Sequence, residues 1–147
     1  QHGFLPGTLN EKMEPWMRPI TDIMLDYMSQ QQLEYFIRKQ KIEIVPLAYM
    51  RGRTFHHSWV IADEMQNATT EQTKMLLTRF GTGSKFVITG DLNQFDRGYS
   101  HNGLADFISR YAQQSSHISQ IEHVEFEGCD VERHPIVKKV LQLYQEF

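Results

Sequence analysis

Apolar positions recur along this chain with two different periods. Ile20, Ile23, Met24, Tyr27 and Met28 fall on one helical stripe, and Leu33, Phe36 and Ile37 mark a second, shorter helix. Ile42 to Leu47 reads as a short apolar strand, closed near Pro46. Trp59 to Asp63 is nearly continuous in apolar residues, the pattern of a strand covered on both faces. Thr69, with Gln72 three residues on, has the form of a helix start; that helix is expected to run to about Phe80, where Gly81 and Gly83 stop it. Lys85 to Gly90 is the next strand. Leu104, Phe107, Ile108 and Tyr111 mark an amphipathic helix, and Ile121 to Phe126 alternates like a strand. Pro135 suits a first helical position, ahead of a last stripe of Ile136, Val137, Val140, Leu141 and Tyr144. Strands alternating with helices predict an α/β fold: a three-layer sandwich, a mostly parallel sheet with helices on both faces. No internal repeat, low-complexity tract or domain-separating linker interrupts the pattern.

Two apolar runs end in carboxylates. The first closes on Asp63-Glu64, with Gln66 just after; the second closes on Gly90-Asp91, with Gln94 beyond. Open parallel sheets bind ligands at the carboxyl ends of their strands. Nucleotide hydrolases end neighbouring strands in this way: one carboxylate holds Mg²⁺ through its water shell and the next activates the attacking water. A glutamine at position 94 suits an amide that donates to a terminal phosphate oxygen and accepts from water. Each motif alone has an ordinary reading, as solvated charges at a strand end or as a Gly-Asp turn; together they favour the nucleotide reading. Arg51-Gly52-Arg53-Thr54 reads as a solvated loop or as a contact to phosphate or nucleic-acid backbone. Arg133, just before Pro135, reads as a surface arginine or as one that reaches a transferring phosphate. His56-His57 is a poor chelate, because adjacent strand residues point to opposite faces. Cys129 has no evident partner in nucleophilic chemistry. Nowhere in the chain is there a G-x-x-x-x-G-K-[ST] phosphate loop.

Composition narrows the picture modestly. At 147 residues the chain fits one domain, and 40% apolar and 22% charged residues are ordinary for a globular protein. A net charge of -3 gives no global basic field. One cysteine excludes an internal disulfide and suits a reducing compartment, so a cytoplasmic location is expected. No run of about 18 apolar residues and no signal pattern points to a membrane. The opening Gln1-His2-Gly3-Phe4-Leu5-Pro6-Gly7 looks like mid-protein sequence, as in a truncated or processed chain.

Gly3-Phe4-Leu5-Pro6-Gly7, Met50-Arg51-Gly52-Arg53-Thr54, Asp63-Glu64-Met65-Gln66-Asn67, Thr89-Gly90-Asp91-Leu92-Asn93-Gln94 and Arg133-His134-Pro135 together resemble, in order and spacing, the PhoH-like family. The resemblance covers essentially the whole chain, read as a single domain over residues 1–147. It implies a RecA-type P-loop ATPase related to superfamily-one helicases, in a family linked by name to phosphate starvation and often assigned to RNA metabolism. By that resemblance Asp63 would hold Mg²⁺ and Glu64 would activate water. Gln66 would match the glutamine of the helicase D-E-x-Q box, and Asp91 and Gln94 the motif that senses the terminal phosphate. Arg133 would contact phosphate, and Arg51 and Arg53 would belong to a family motif at the nucleotide. The implied cofactors are ATP and Mg²⁺. The implied partners are RNA or other single-stranded nucleic acid, and a ring of copies or an upstream segment that completes the sheet, with Arg133 or Arg97 as contacts across subunits. The family's phosphate loop and its strand precede the Gly3 to Gly7 motif, so the resemblance covers the later part of such a domain: Walker B, sensor and arginine motifs without Walker A.

Three functions compete on these residues. The first is a Mg²⁺-dependent nucleoside-triphosphate hydrolase coupled to RNA or other nucleic-acid metabolism. The second is a degenerate, non-catalytic module that binds nucleic acid or protein. The third is a nuclease with Asp63, Glu64 and Asp91 as a metal cluster. It ranks last, since extended backbone would point Glu64 away from Asp63.

Overall fold

Short polar side chains set where several helices begin. The structure, a computed structural model, describes residues 9–93, 102–127, 130, 132 and 134–144. The Gly3 to Gly7 motif, Gln94, Arg97, Cys129 and Arg133 lie outside the described residues. Helix α1 spans Leu9–Leu25 and α2 spans Gln30–Arg38. Ser29 caps α2 with a capping box: its Oγ accepts from Gln32 N at 3.3 Å, and Gln32 Oε1 accepts from Ser29 N at 2.9 Å. The end of α2 is a Schellman turn in which Lys41 N donates to Phe36 O at 2.8 Å and Gln40 N to Ile37 O at 3.0 Å. Its left-handed residue is Gln40 (φ 54), where glycine is usual.

The chain then alternates: β1 (Trp59–Ala62), α3 (Thr70–Leu77), β2 (Lys85–Ile88), α4 (Gly103–Ala112) and α5 (Pro135–Leu143). β1 and β2 pair in parallel, with Lys85 N donating to Ser58 O at 2.9 Å and Thr89 N to Ala62 O at 2.9 Å. The fold is α/β, a parallel sheet with helices, as the alternating pattern predicts. No helix among the described residues is long and apolar enough to cross a membrane.

Two units are distinguishable: Gln1–Val60 with Lys74–Phe86, and Ile61–Thr73 with Val87–Phe147. In the first, Phe86 sits against Phe80 (ring centroids 4.8 Å) and Phe55 (6.1 Å). Ser84, buried, donates to Phe55 O at 2.7 Å and accepts from Ser58 N at 3.1 Å. In the second, Met65, Ala68 and Leu104 are buried. Asn102 caps α4 by accepting from Ala105 N at 3.0 Å. Gly103 is required by close approach: a Cβ there would overlap the carbonyl oxygen of Thr69 and Thr73 Oγ1.

Three expectations are corrected. Ile42–Leu47 and Ile121–Phe126 form no strand, so the described sheet has two strands, β1 and β2. Alternation assigns faces to a segment but supplies no neighbour for its ladder; Val124 and Phe126 lie exposed. Helix α3 stops at Leu77, short of Phe80, because the next residues are taken up by the first unit's pairing: Phe55 N donates to Arg79 O at 2.9 Å, and Phe55 and Phe80 bridge in parallel. β1 is buried on one face only. Val60 is 9% exposed, whereas Trp59 and Ile61 on the opposite face are 69% and 68% exposed. The ammonium of Lys85 lies 4.9 Å from the Trp59 ring centroid.

Candidate active site

The parallel pairing of β1 and β2 brings their carboxyl ends together, and the chain reverses sharply just after β1. Asp63 follows the strand, and Glu64 turns into the left-handed region (φ 57, ψ 34), feeding a single 3₁₀ turn over Met65–Asn67. Met65 N donates to Thr89 O at 3.0 Å, which ties that turn to the end of β2. The backbone at Glu64 is not extended, so strand alternation does not set its direction relative to Asp63. Non-glycine residues in this conformation carry local strain and concentrate at functional sites.

Asp63 Oδ1 accepts two hydrogen bonds, from Glu64 N at 3.0 Å and from Thr89 Oγ1 at 2.5 Å. Gln66 is 1% exposed and links the two strand ends. Its Nε2 donates to Glu64 Oε2 at 2.5 Å, and its Oε1 accepts from Asp91 N at 3.2 Å. Asp91 Oδ1 in turn accepts from Asn93 N at 2.9 Å, an Asx turn that shapes the next residues. At Gly90 a Cβ would stand 2.7 Å from both Gln66 Oε1 and Leu104 Cδ2, so the absence of a side chain lets this backbone lie on the glutamine amide. Behind the site, Gly103 N donates to Ala68 O at 2.8 Å, fixing the start of α4 against the turn that carries Gln66.

Asp63, Glu64, Thr89 and Asp91 are accessible to solvent, so a ligand can reach them. Both described contacts of Asp63 use Oδ1, and Oδ2 makes no hydrogen bond among the described residues. A hard divalent cation with its water shell fits such an oxygen-rich end. No three His, Cys, Asp or Glu side chains among the described residues gather to hold a metal directly, so Asp63, Glu64 and Asp91 do not make the cluster that a two-metal nuclease needs.

Of the residues singled out by sequence, Asp63, Glu64, Gln66 and Asp91 thus come together in the second unit. Thr89 was missed; its signal was its place at the end of the neighbouring parallel strand. Arg51 and Arg53 belong to the first unit. Arg51 is exposed in a turn with Gly52 (φ 80). Arg53 is engaged locally: it pairs with Glu43 at 2.9 Å, and its guanidinium lies 4.9 Å from the Phe55 ring centroid. Gln94 and Arg133 are outside the described residues.

A family model described as PhoH-like protein matches residues 1–145. The chain is 42% identical over 144 residues to the PhoH-like protein of Bacillus subtilis (strain 168), a match that takes in 98% of this chain and 44% of that protein. It is 42% identical over 146 residues to the PhoH-like protein of Mycobacterium leprae (strain TN), with 99% and 41% covered. It is 38% identical over 146 residues to Protein PhoH of Escherichia coli (strain K12), with 97% and 40% covered. The chain therefore spans less than half the length of these curated relatives.

Proposed function

This chain belongs to the PhoH-like family, and from that premise we propose that it carries the metal-holding and water-activating part of a Mg²⁺-dependent ATPase site, coupled to RNA or other single-stranded nucleic acid. The reading is carried by one observation. Asp63 and Glu64 follow one parallel strand, Asp91 follows its neighbour, and Thr89 and Gln66 hydrogen-bond the two ends together.

In this reading Asp63 holds the water shell of the ion, and Thr89 fixes the orientation of its carboxylate. A Mg²⁺ ion held there would supply positive charge to offset that of the phosphates. Glu64 orients the attacking water and takes its proton, in line with the terminal phosphoryl group. Asp91 and Gln94 sense that phosphate, and Arg133 contacts it. Arg51 is the cation of the Arg51–Thr54 loop offered to nucleic-acid phosphate, since Arg53 is already paired with Glu43. A phosphate loop would have to come from sequence or subunits beyond these 147 residues.

Calorimetry of Mg-ATP binding to this chain tests the reading, with Asp63→Ala as the control. Specific binding that the substitution abolishes is the expected result. Binding that survives Asp63→Ala would overturn the assignment of Asp63, whereas no binding by the unmodified chain would mean that these residues make an incomplete nucleotide site, to be tested again with a phosphate loop supplied.

A further inference from the structure

Gln66 is the least exposed polar side chain among the described residues, and both ends of its amide are engaged. Its donor end holds the carboxylate of Glu64, two residues back around a left-handed turn. Its acceptor end holds the backbone N–H of Asp91, 25 residues away in sequence. The bare backbone of Gly90 lies against the same amide oxygen. A side chain of fixed length, enclosed and bonded at both ends, transmits position: if the backbone at Asp91 shifts, the amide shifts, and the Glu64 carboxylate loses its aim.

We propose that Gln66 is a positioning residue that acts through Glu64 and Asp91 instead of touching nucleotide, and that it makes the aim of Glu64 depend on the state of the Gly90–Asp91 loop. The inference rests on the ATPase reading above for its kinetic consequence, while the mechanical link stands on geometry alone.

The test uses the full chain with two variants. Gln66→Met keeps the volume and removes both hydrogen bonds. Gln66→Asn keeps a buried amide that is one methylene too short to reach both partners, and it carries the test if the first variant fails to fold. In steady-state ATP hydrolysis both should lower kcat by about tenfold or more, with KM and the Mg-ATP Kd held within roughly twofold. In a Glu64→Gln background Gln66→Met should add less than about twofold, because its effect passes through Glu64. A weaker Kd with unchanged kcat would make Gln66 a nucleotide contact and overturn the proposal. So would an unchanged or raised kcat, or a full further loss in the Glu64→Gln background.

Amide hydrogen exchange at Asp91, without nucleotide, separates this failure from failure of the ATPase reading. Glu64→Ala should speed exchange at Asp91 in the unmodified chain, and should change nothing once Gln66→Met is present. If Asp91 exchange ignores Glu64→Ala, the link is wrong whether or not ATP is hydrolysed. If exchange responds while the chain neither binds nor hydrolyses Mg-ATP, the link holds independently of the ATPase reading.

Discussion

Gln40 and Glu64 hold almost the same left-handed backbone, at φ 54 and φ 57, in two different regions. At Gln40 the conformation closes the Schellman turn of α2, and the satisfied groups are backbone carbonyls. At Glu64 it redirects a carboxylate at the end of β1, and a buried glutamine holds that carboxylate. The cost in each case is of order 1–2 kcal/mol for a side chain in that region. What differs is what the cost secures. At Gln40 a glycine would serve better. At Glu64 the side chain is itself the purpose of the turn.

The sharpest way to test this contrast is at Glu64. Glu64→Gln should keep Mg-ATP affinity and lower turnover by at least about a hundredfold, measured by steady-state hydrolysis, as expected for loss of a general base. Normal turnover would remove Glu64 from the chemistry and make its strain as incidental as that at Gln40. Next comes Gly103→Ala, which pushes a methyl group into the Thr69 carbonyl and Thr73 Oγ1 behind the site. Chemical denaturation should show a loss of about 1–3 kcal/mol; a neutral result would mean that the start of α4 moves freely and cannot brace the Gln66 turn.

Smaller effects should carry the opposite sign. Thr73 is 2% exposed and its hydroxyl has no partner among the described residues. Thr73→Val should therefore raise stability by about 1 kcal/mol in the same denaturation assay. Gln40→Gly should raise it by about 0.5–1 kcal/mol, read as a shift in Tm, with any ATPase rate unchanged. A destabilised Gln40→Gly protein would show that the glutamine side chain contributes something beyond the turn, and the contrast with Glu64 would narrow.

The legible parts of the site were those set by local pattern. Asp63, Glu64 and Asp91 stand out because apolar runs end in them, and the pairing of β1 with β2 agrees with the strand-helix-strand pattern between them. The roles of Thr89 and Gln66 depend on register and on one left-handed residue, neither of which a linear pattern encodes. The start of α3 after Thr69 was readable from capping chemistry, since the groups that satisfy one another lie within a turn, and that of α5 from the fixed φ of Pro135 at a first helical position. Ile42–Leu47 and Ile121–Phe126 were misread for the complementary reason. Their composition suits a strand, but a ladder is a property of two segments.

The open face of β1 has an optical consequence. Trp59 presents most of its indole to water, with the Lys85 ammonium over the ring. An indole so placed emits at long wavelength and is within reach of dissolved quenchers. Any element that came to lie on Trp59 and Ile61 would strip that water away, shift this indole's part of the emission to the blue and shield it from iodide, against a background from Trp16. The chain thus carries its own lamp on the side of the sheet that its described residues leave bare.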